Sequence, residues 1–74
     1  MEDRLIAVIA AVLRVPASTL TLESGPGDIA EWDSLAQINV VSEIEAEFGV
    51  SIPIERVAEI RHIRDFLGYL EKTS

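Results

Sequence analysis

Ser34 is the residue of this sequence whose type and position best suit chemistry. It follows Asp33 at the start of a predicted helix, after a long segment rich in Ser, Thr, Gly and Pro. A hydroxyl at such a helix start is open to an incoming enzyme, and a phosphodiester attached there would lie near free backbone N–H groups at the positive end of the helix dipole. A structural role also fits, because Ser34 and Gln37 match the S/T-x-x-E/Q capping box, with Asp33 as the alternative cap one residue earlier.

A self-contained catalytic site is not predicted. A nucleophile needs a base within reach, and His62, the single histidine, lies at a helix start between two arginines, which favours a surface or capping role. The carboxylates of Glu43, Glu45 and Glu47 are spread round an exposed helix surface, whereas acid–base catalysis needs carboxylates that converge in a water-poor cleft. We therefore expect no catalytic residues and no enzymatic activity from this chain alone.

Length and composition limit the possible kinds of site and fold. The chain has 74 residues and no cysteine, so a single domain is expected, without a disulfide or a thiolate metal site, and one histidine excludes a His-rich metal site. Stability must come from burial, and the apolar fraction of 49% makes a mainly aliphatic core sufficient.

Net negative charge is concentrated in the middle of the chain. The formal charge is −7, and residues 15–55 hold eight acidic residues and no Lys or Arg. This balance argues against nucleic acid and anionic membranes as partners and favours a protein partner with a basic surface. A solvated acidic face without a partner is the alternative.

Near the N-terminus, the apolar run of nine residues from Leu5 to Leu13 predicts a buried helix. It is too short to span a bilayer, which needs about 20 residues, and its acidic flank is unlike a secretory signal. We expect no membrane insertion, a cytoplasmic location and a monomer.

Apolar residues recur at helical spacing in three segments, which predicts an all-α bundle of three main helices plus one short helix, in a single domain of residues 1–74. Between the first two helices lies a long loop, in which Leu20, Leu22 and Ile29 are expected to contact the core. Gly49 is predicted to cap the second helix, and Gly68, inside the last one, suggests close packing or local flexibility. The predicted helices are residues 3–14, 34–48, 54–60 at most, and 62–72, with a short helical turn near residues 16–20.

Two motifs resemble the acyl carrier protein family. The first is Asp33-Ser34-Leu35, preceded by Glu31-Trp32, and it resembles the family's attachment motif. The second is the run from Glu45 to Pro53, Glu-x-Glu-Phe-Gly-Val-x-Ile-Pro, which resembles the end of the family's second helix and the following loop. The resemblance covers essentially the whole chain.

The resemblance implies a carrier function. In this family a phosphopantetheinyl transferase uses coenzyme A to attach 4′-phosphopantetheine to the motif serine, and the terminal thiol of that arm carries acyl groups as thioesters. Ser34 would then be the attachment site, with Asp33 helping to present it. Leu35 and Ile38 would face partners or guide the arm. Acyl-loading and acyl-processing enzymes would carry basic patches, and these patches would bind acidic residues of this chain that include Glu43, Glu45 and Glu47.

Some positions depart from the family pattern. Ala36 and Asn39 are neutral where carriers of primary fatty acid synthesis are usually acidic, and Trp32 is larger than the residue usual there. The departures favour a specialised pathway, such as a polyketide or lipid-modification system, over housekeeping fatty acid synthesis. The alternatives are an aminoacyl (D-alanyl) or peptidyl carrier, and an acidic interaction module in which Ser34 is only a helix cap.

Overall fold

Four helices and one 3₁₀ turn form the described part of the chain. The computed structural model describes residues 2–71 and the side chains of residues 2–70, and within that range there is no strand. The expectation of an all-α bundle with three main helices and a short one is confirmed. The helices are α1 (Glu2–Leu13), α2 (Ser34–Phe48), α3 (Ile54–Val57) and α4 (Ile63–Glu71), and the 3₁₀ turn is Ala17–Thr19.

The predicted boundaries differ little from those observed. The short helix α3 is a single turn and ends earlier than the predicted limit of residue 60. Residue 72, the predicted end of the last helix, lies outside the described residues. No helix between residues 2 and 71 is both long enough and apolar enough to cross a membrane.

Helices α1 and α2 pack against each other along their apolar stripes. In α1, Leu5 and Ile9 are fully buried, as the spacing of four residues predicts. In α2, Val40 and Ile44 are fully buried opposite them. The long axis of α2 is therefore fixed against α1, and the residues on its other side remain open to solvent.

Both of these helices end in a left-handed residue. Gly49 has a φ of 66° and its N–H donates to Glu45 O, so its predicted role as the cap of α2 is confirmed. Arg14, after α1, has a φ of 60° without being a glycine, and the N–H of Val15 donates back to Ala10 O at 3.1 Å.

The long loop before α2 is held on the core and on the start of α4. Leu20 is buried, and Leu22 and Ile29 pack against the core, as predicted. Two carbonyls of this loop accept the first N–H groups of α4: Ile63 N–H donates to Ser24 O at 2.8 Å and Arg64 N–H to Leu22 O at 3.0 Å. These donors have no partner within their own helix, so the loop caps α4 while α4 fixes the loop.

Gly25 lies where this loop touches the connection between α3 and α4. A Cβ added at Gly25 would be 1.7 Å from the carbonyl oxygen of Arg61, and backbone cannot move aside as a flexible side chain can. Gly68 is different, because it is exposed and a Cβ there would meet no atom within 4 Å. The prediction of close packing at Gly68 is therefore wrong.

We predict opposite effects of alanine at these two glycines. Gly25→Ala should lower the free energy of unfolding by about 1–3 kcal/mol, because the loop must move away from Arg61. Gly68→Ala should raise it by about 0.5–1 kcal/mol, because alanine favours an exposed helix interior. Urea unfolding followed by circular dichroism measures both, and equal stability of the two variants would contradict the close contact.

Asp65 adds a side-chain cap at the same helix start. Its Oδ2 accepts the N–H groups of Arg61 at 2.9 Å and His62 at 3.0 Å. The hydrogen bond from Arg61 is the main cause that lowers the pKa of Asp65, partial burial opposes it, and the hydrogen bond from His62 adds to the lowering. The folded state therefore favours the ionised carboxylate.

This pKa shift predicts a pH-dependent contribution to stability. Because the folded-state pKa of Asp65 is lowered, its contribution is fully present above the unfolded-state pKa of about 3.9 and is lost as the pH falls through the folded-state value. Urea unfolding of the wild type and Asp65→Asn between about pH 7 and pH 2 should therefore show a stability difference that narrows only in the acidic range. A difference that is constant over the whole range would contradict this role of Asp65.

Candidate functional site

Ser34 is the first residue of α2 and is exposed to solvent. The N-cap is Asp33, whose Oδ1 accepts the N–H of Ala36 at 2.8 Å and whose backbone carbonyl accepts the N–H of Gln37 at 2.9 Å. The capping box of Ser34 and Gln37 is therefore wrong, and the alternative cap, Asp33, is the one observed. The hydroxyl of Ser34 makes no hydrogen bond to any described residue, so helix capping does not occupy it.

The side chain of Gln37 takes part in a buried hydrogen bond and not in a cap. Its Oε1 accepts the indole N–H of Trp32 at 2.7 Å, and only 9% of its surface is exposed. Gln37 lies only about 60° round the helix from Ser34, at the edge of the buried stripe, where its side chain reaches Trp32.

Trp32 anchors the chain just before the helix. It is 1% exposed and is the largest of the fully buried side chains. Sequence reasoning noted Trp32 only as larger than expected and missed this role. A signal existed, because Trp32 and Gln37 lie at the two positions, immediately before the cap and at the fourth helical residue, that form a hydrophobic staple. Here a hydrogen bond joins them.

Two backbone N–H groups beside the Ser34 hydroxyl are free for a ligand. The N–H groups of Ser34 and Leu35 lie in the first turn of α2, where no helical acceptor exists, and neither donates to a described residue. Together with the helix dipole they form a favourable position for a phosphate. The site therefore fits a phosphodiester on Ser34 Oγ.

An open groove of about 600 Å³ lies next to Ser34, between the start of α2, the loop before it and the region of α3. Its lining is mostly apolar and includes Ile38, Ile54 and Val57. Large apolar side chains near Ser34 also remain in solvent: Leu35 is 69% exposed, Ile38 62% and Ile54 85%. Burial of such a group of side chains by a ligand or a partner would be favourable.

The three acids selected from the sequence have different surroundings. Glu43 is exposed, and its carboxylate has no partner among the described residues. Glu45 Oε2 accepts the N–H of Ile52 at 2.7 Å, which ties α2 to the segment before α3. Glu47 forms an ion pair with Arg4 of α1 at 2.8 Å, although 43% of its side chain stays exposed. Of these three acids, only Glu47 is paired with a cation, and only Glu43 has no hydrogen-bond or ion-pair partner among the described residues.

His62 lies at the start of α4 and does not line the groove next to Ser34. It is partly buried, its backbone N–H donates to Asp65, and its Nδ1 is 3.7 Å from Asp65 Oδ2. This placement agrees with the surface or capping role predicted from sequence.

Comparison with known proteins agrees with this geometry. Residues 3–70 match the family model described as a phosphopantetheine attachment site. An acyl carrier protein of Porphyromonas gingivalis is 32% identical over 72 residues, covering 97% of this chain and 92% of the relative. An acyl carrier protein of Thermobifida fusca is 29% identical over 70 residues, covering 95% and 89%.

A further relative is specialised. The meromycolate extension acyl carrier protein of Mycobacterium tuberculosis is 29% identical over 75 residues, covering 96% of this chain and 65% of that protein. The family match spans nearly all of the described residues and contains the whole start of α2. The chain therefore belongs to the acyl carrier protein family, whose members carry phosphopantetheine.

Proposed function

We propose that Ser34 is the residue that receives 4′-phosphopantetheine from coenzyme A. The observation that carries this proposal is the exposed, unoccupied hydroxyl of Ser34 beside the free N–H groups of Ser34 and Leu35. When bound, the group supplies a terminal thiol that holds acyl units as thioesters.

The residues around Ser34 hold it in position for a modifying enzyme. Asp33 begins the helix one residue earlier and so leaves the serine hydroxyl free. Trp32 and Gln37 fix the backbone on either side of Ser34 through a buried hydrogen bond. A transferase would therefore meet a preorganised helix start, which reduces the cost of ordering a flexible loop on binding.

The chain acts as a carrier and not as an enzyme in this proposal. Phosphopantetheinyl transferase modifies it, and acyl-loading and acyl-processing enzymes act on its cargo. It is a monomeric single domain of residues 1–74 that works in the cytoplasm, where coenzyme A is available. An acyl cargo, in a fatty-acid-like, polyketide or other specialised pathway, is favoured over an aminoacyl or peptidyl cargo by the three relatives described above, each of which is named as an acyl carrier protein.

Docking is assigned to the exposed start of α2 and its acidic surroundings. Leu35 and Ile38 supply apolar contact next to Ser34. Glu43 supplies a free negative charge, while Glu47 contributes less because Arg4 already compensates it. Glu45 contributes with the part of its carboxylate that the bond to Ile52 leaves open. Partner enzymes with an apolar contact rimmed by basic residues fit this surface.

We predict that Ser34→Ala abolishes modification without unfolding the protein. The apo protein, incubated with coenzyme A and a promiscuous phosphopantetheinyl transferase, should gain the mass of one phosphopantetheine, and Ser34→Ala should gain none. Because Asp33 is the cap, Ser34→Ala should change the free energy of unfolding by less than about 0.5 kcal/mol, whereas Asp33→Ala should cost about 1 kcal/mol.

Ser42→Ala is the matched control, since Ser42 is another exposed serine of α2. It should be modified like the wild type. A mass gain that persists in folded Ser34→Ala, or no gain in the wild type, would overturn the attachment site.

We also predict that charge and apolar contact at α2 have separable effects on modification. Glu43→Gln should lower kcat/KM of the transferase roughly two- to fivefold at low salt and hardly at high salt, because salt screens exposed charges. Glu47→Gln should have a smaller effect because of Arg4. Ile38→Ala should lower kcat/KM at both salt concentrations, because apolar burial is not screened.

Steady-state kinetics at several salt concentrations, with each variant's fold checked by circular dichroism, gives these values. The docking proposal fails if Glu43→Gln and Ile38→Ala lose activity with the same salt dependence.

A further inference from the structure

Gln37 has an amide group whose orientation is fixed and whose NH₂ is unused. An indole N–H can only donate, so the partner of Trp32 Nε1 must be the oxygen of the Gln37 amide, at 2.7 Å. The NH₂ group of Gln37 therefore faces away from Trp32. No described residue accepts a hydrogen bond from it.

This NH₂ group borders the groove next to Ser34. Gln37 is more than nine-tenths buried and lines that groove. Among the described residues, no nitrogen or oxygen of a buried side chain is both sealed from solvent and unpartnered, so the NH₂ group keeps some contact with solvent. The groove is the solvent-open space that Gln37 lines. It is a polar donor in a mostly apolar lining, and a ligand that covers it without supplying an acceptor pays the cost of its desolvation.

Trp32 closes the inner side of the same groove. Its ring is 1% exposed and fills the space beneath the start of α2. A long alkyl chain entering below Ser34 would have to displace this ring and break its hydrogen bond to Gln37. A ligand of the groove therefore stays near the surface and close to the Gln37 amide.

We propose that Gln37 selects the cargo: its NH₂ donates to an oxygen that a short acyl chain carries in addition to the thioester carbonyl, such as the hydroxyl of a hydroxyacyl unit. Trp32 excludes long alkyl chains from the core. The inference rests on the proposed attachment at Ser34. It names the cargo class of that same site, short and oxygen-bearing, from the buried side-chain amide that lines a mostly apolar groove.

The test compares two four-carbon cargoes that differ by one oxygen, and adds a longer alkyl cargo. The apo protein is loaded from the corresponding coenzyme A thioesters with butyryl, 3-hydroxybutyryl or octanoyl groups, and a fourth sample carries the bare arm. In the wild type, the 3-hydroxybutyryl form should melt about 2–8 °C above the butyryl form, as one added hydrogen bond predicts for a domain of this size. Only the 3-hydroxybutyryl cargo should shift the Gln37 side-chain NH₂ resonances in NMR spectra.

Gln37→Glu separates the two functions of the amide. It keeps an oxygen for the indole N–H of Trp32 and removes the NH₂ donor, so the difference in Tm between the two four-carbon cargoes should be lost. Asn39→Asp is the matched amide-to-acid control on the solvent side of α2, and it should retain the difference. In the wild type, the octanoyl cargo should leave the Trp32 indole resonance in place and give no higher Tm than butyryl.

Three results would overturn the proposal. The first is equal Tm values for the butyryl and 3-hydroxybutyryl forms. The second is a shift of the Gln37 NH₂ resonances in the bare-arm form that is as large as the shift in the hydroxyacyl form. The third is an octanoyl form with a raised Tm and a displaced Trp32 resonance. Intact mass is checked first in every sample. A failure to load Ser34 counts against the attachment site, whereas a loaded protein whose Tm and Gln37 resonances do not depend on the cargo counts against cargo selection.

Discussion

The buried hydrogen bond between Trp32 and Gln37 is the constraint on which the start of α2, and with it the position of Ser34, depends. It joins the last loop residue before the cap to the fourth residue of α2, and so encloses Asp33 and Ser34 between two fixed points. The indole ring is fully buried, which makes this anchor costly to disrupt. Ser34 is thus held in a fixed position while its side chain stays exposed.

A second constraint fixes the loop that leads to this site. Two loop carbonyls accept the first N–H groups of α4, and Gly25 permits the contact by leaving room for the carbonyl of Arg61. The loop is long, yet it has the hydrogen bonds of an ordered element, one buried leucine, Leu20, and further apolar side chains packed against the core. This ordered loop links the last helix to the start of α2, so contacts with the rest of the bundle hold Ser34 in position.

Sequence reasoning performed best where one periodic pattern decides the outcome. The apolar stripes of α1 and α4, the glycine that ends α2 and the all-helical class follow from spacing and local backbone preferences, and the structure confirms them. It failed at Gln37, because Ser34 and Gln37 match the capping box, and the motif does not reveal that Asp33 is the cap and that Gln37 bonds Trp32 instead. At Gly68 it failed because a glycine in a helix does not reveal whether a neighbour is near.

What the sequence alone determined is the family and the helix order, and it singled out Ser34 as the candidate site residue, because these depend on local patterns along the chain. Only the tertiary structure decided which of the three α2 acids has no partner among the described residues: Glu47 is paired with Arg4, 43 residues away in sequence, and Glu45 accepts a hydrogen bond from Ile52, so Glu43 remains. It also decided that the Gln37 amide faces a groove. Such pairings join residues from different elements, and their distances arise only when the helices pack.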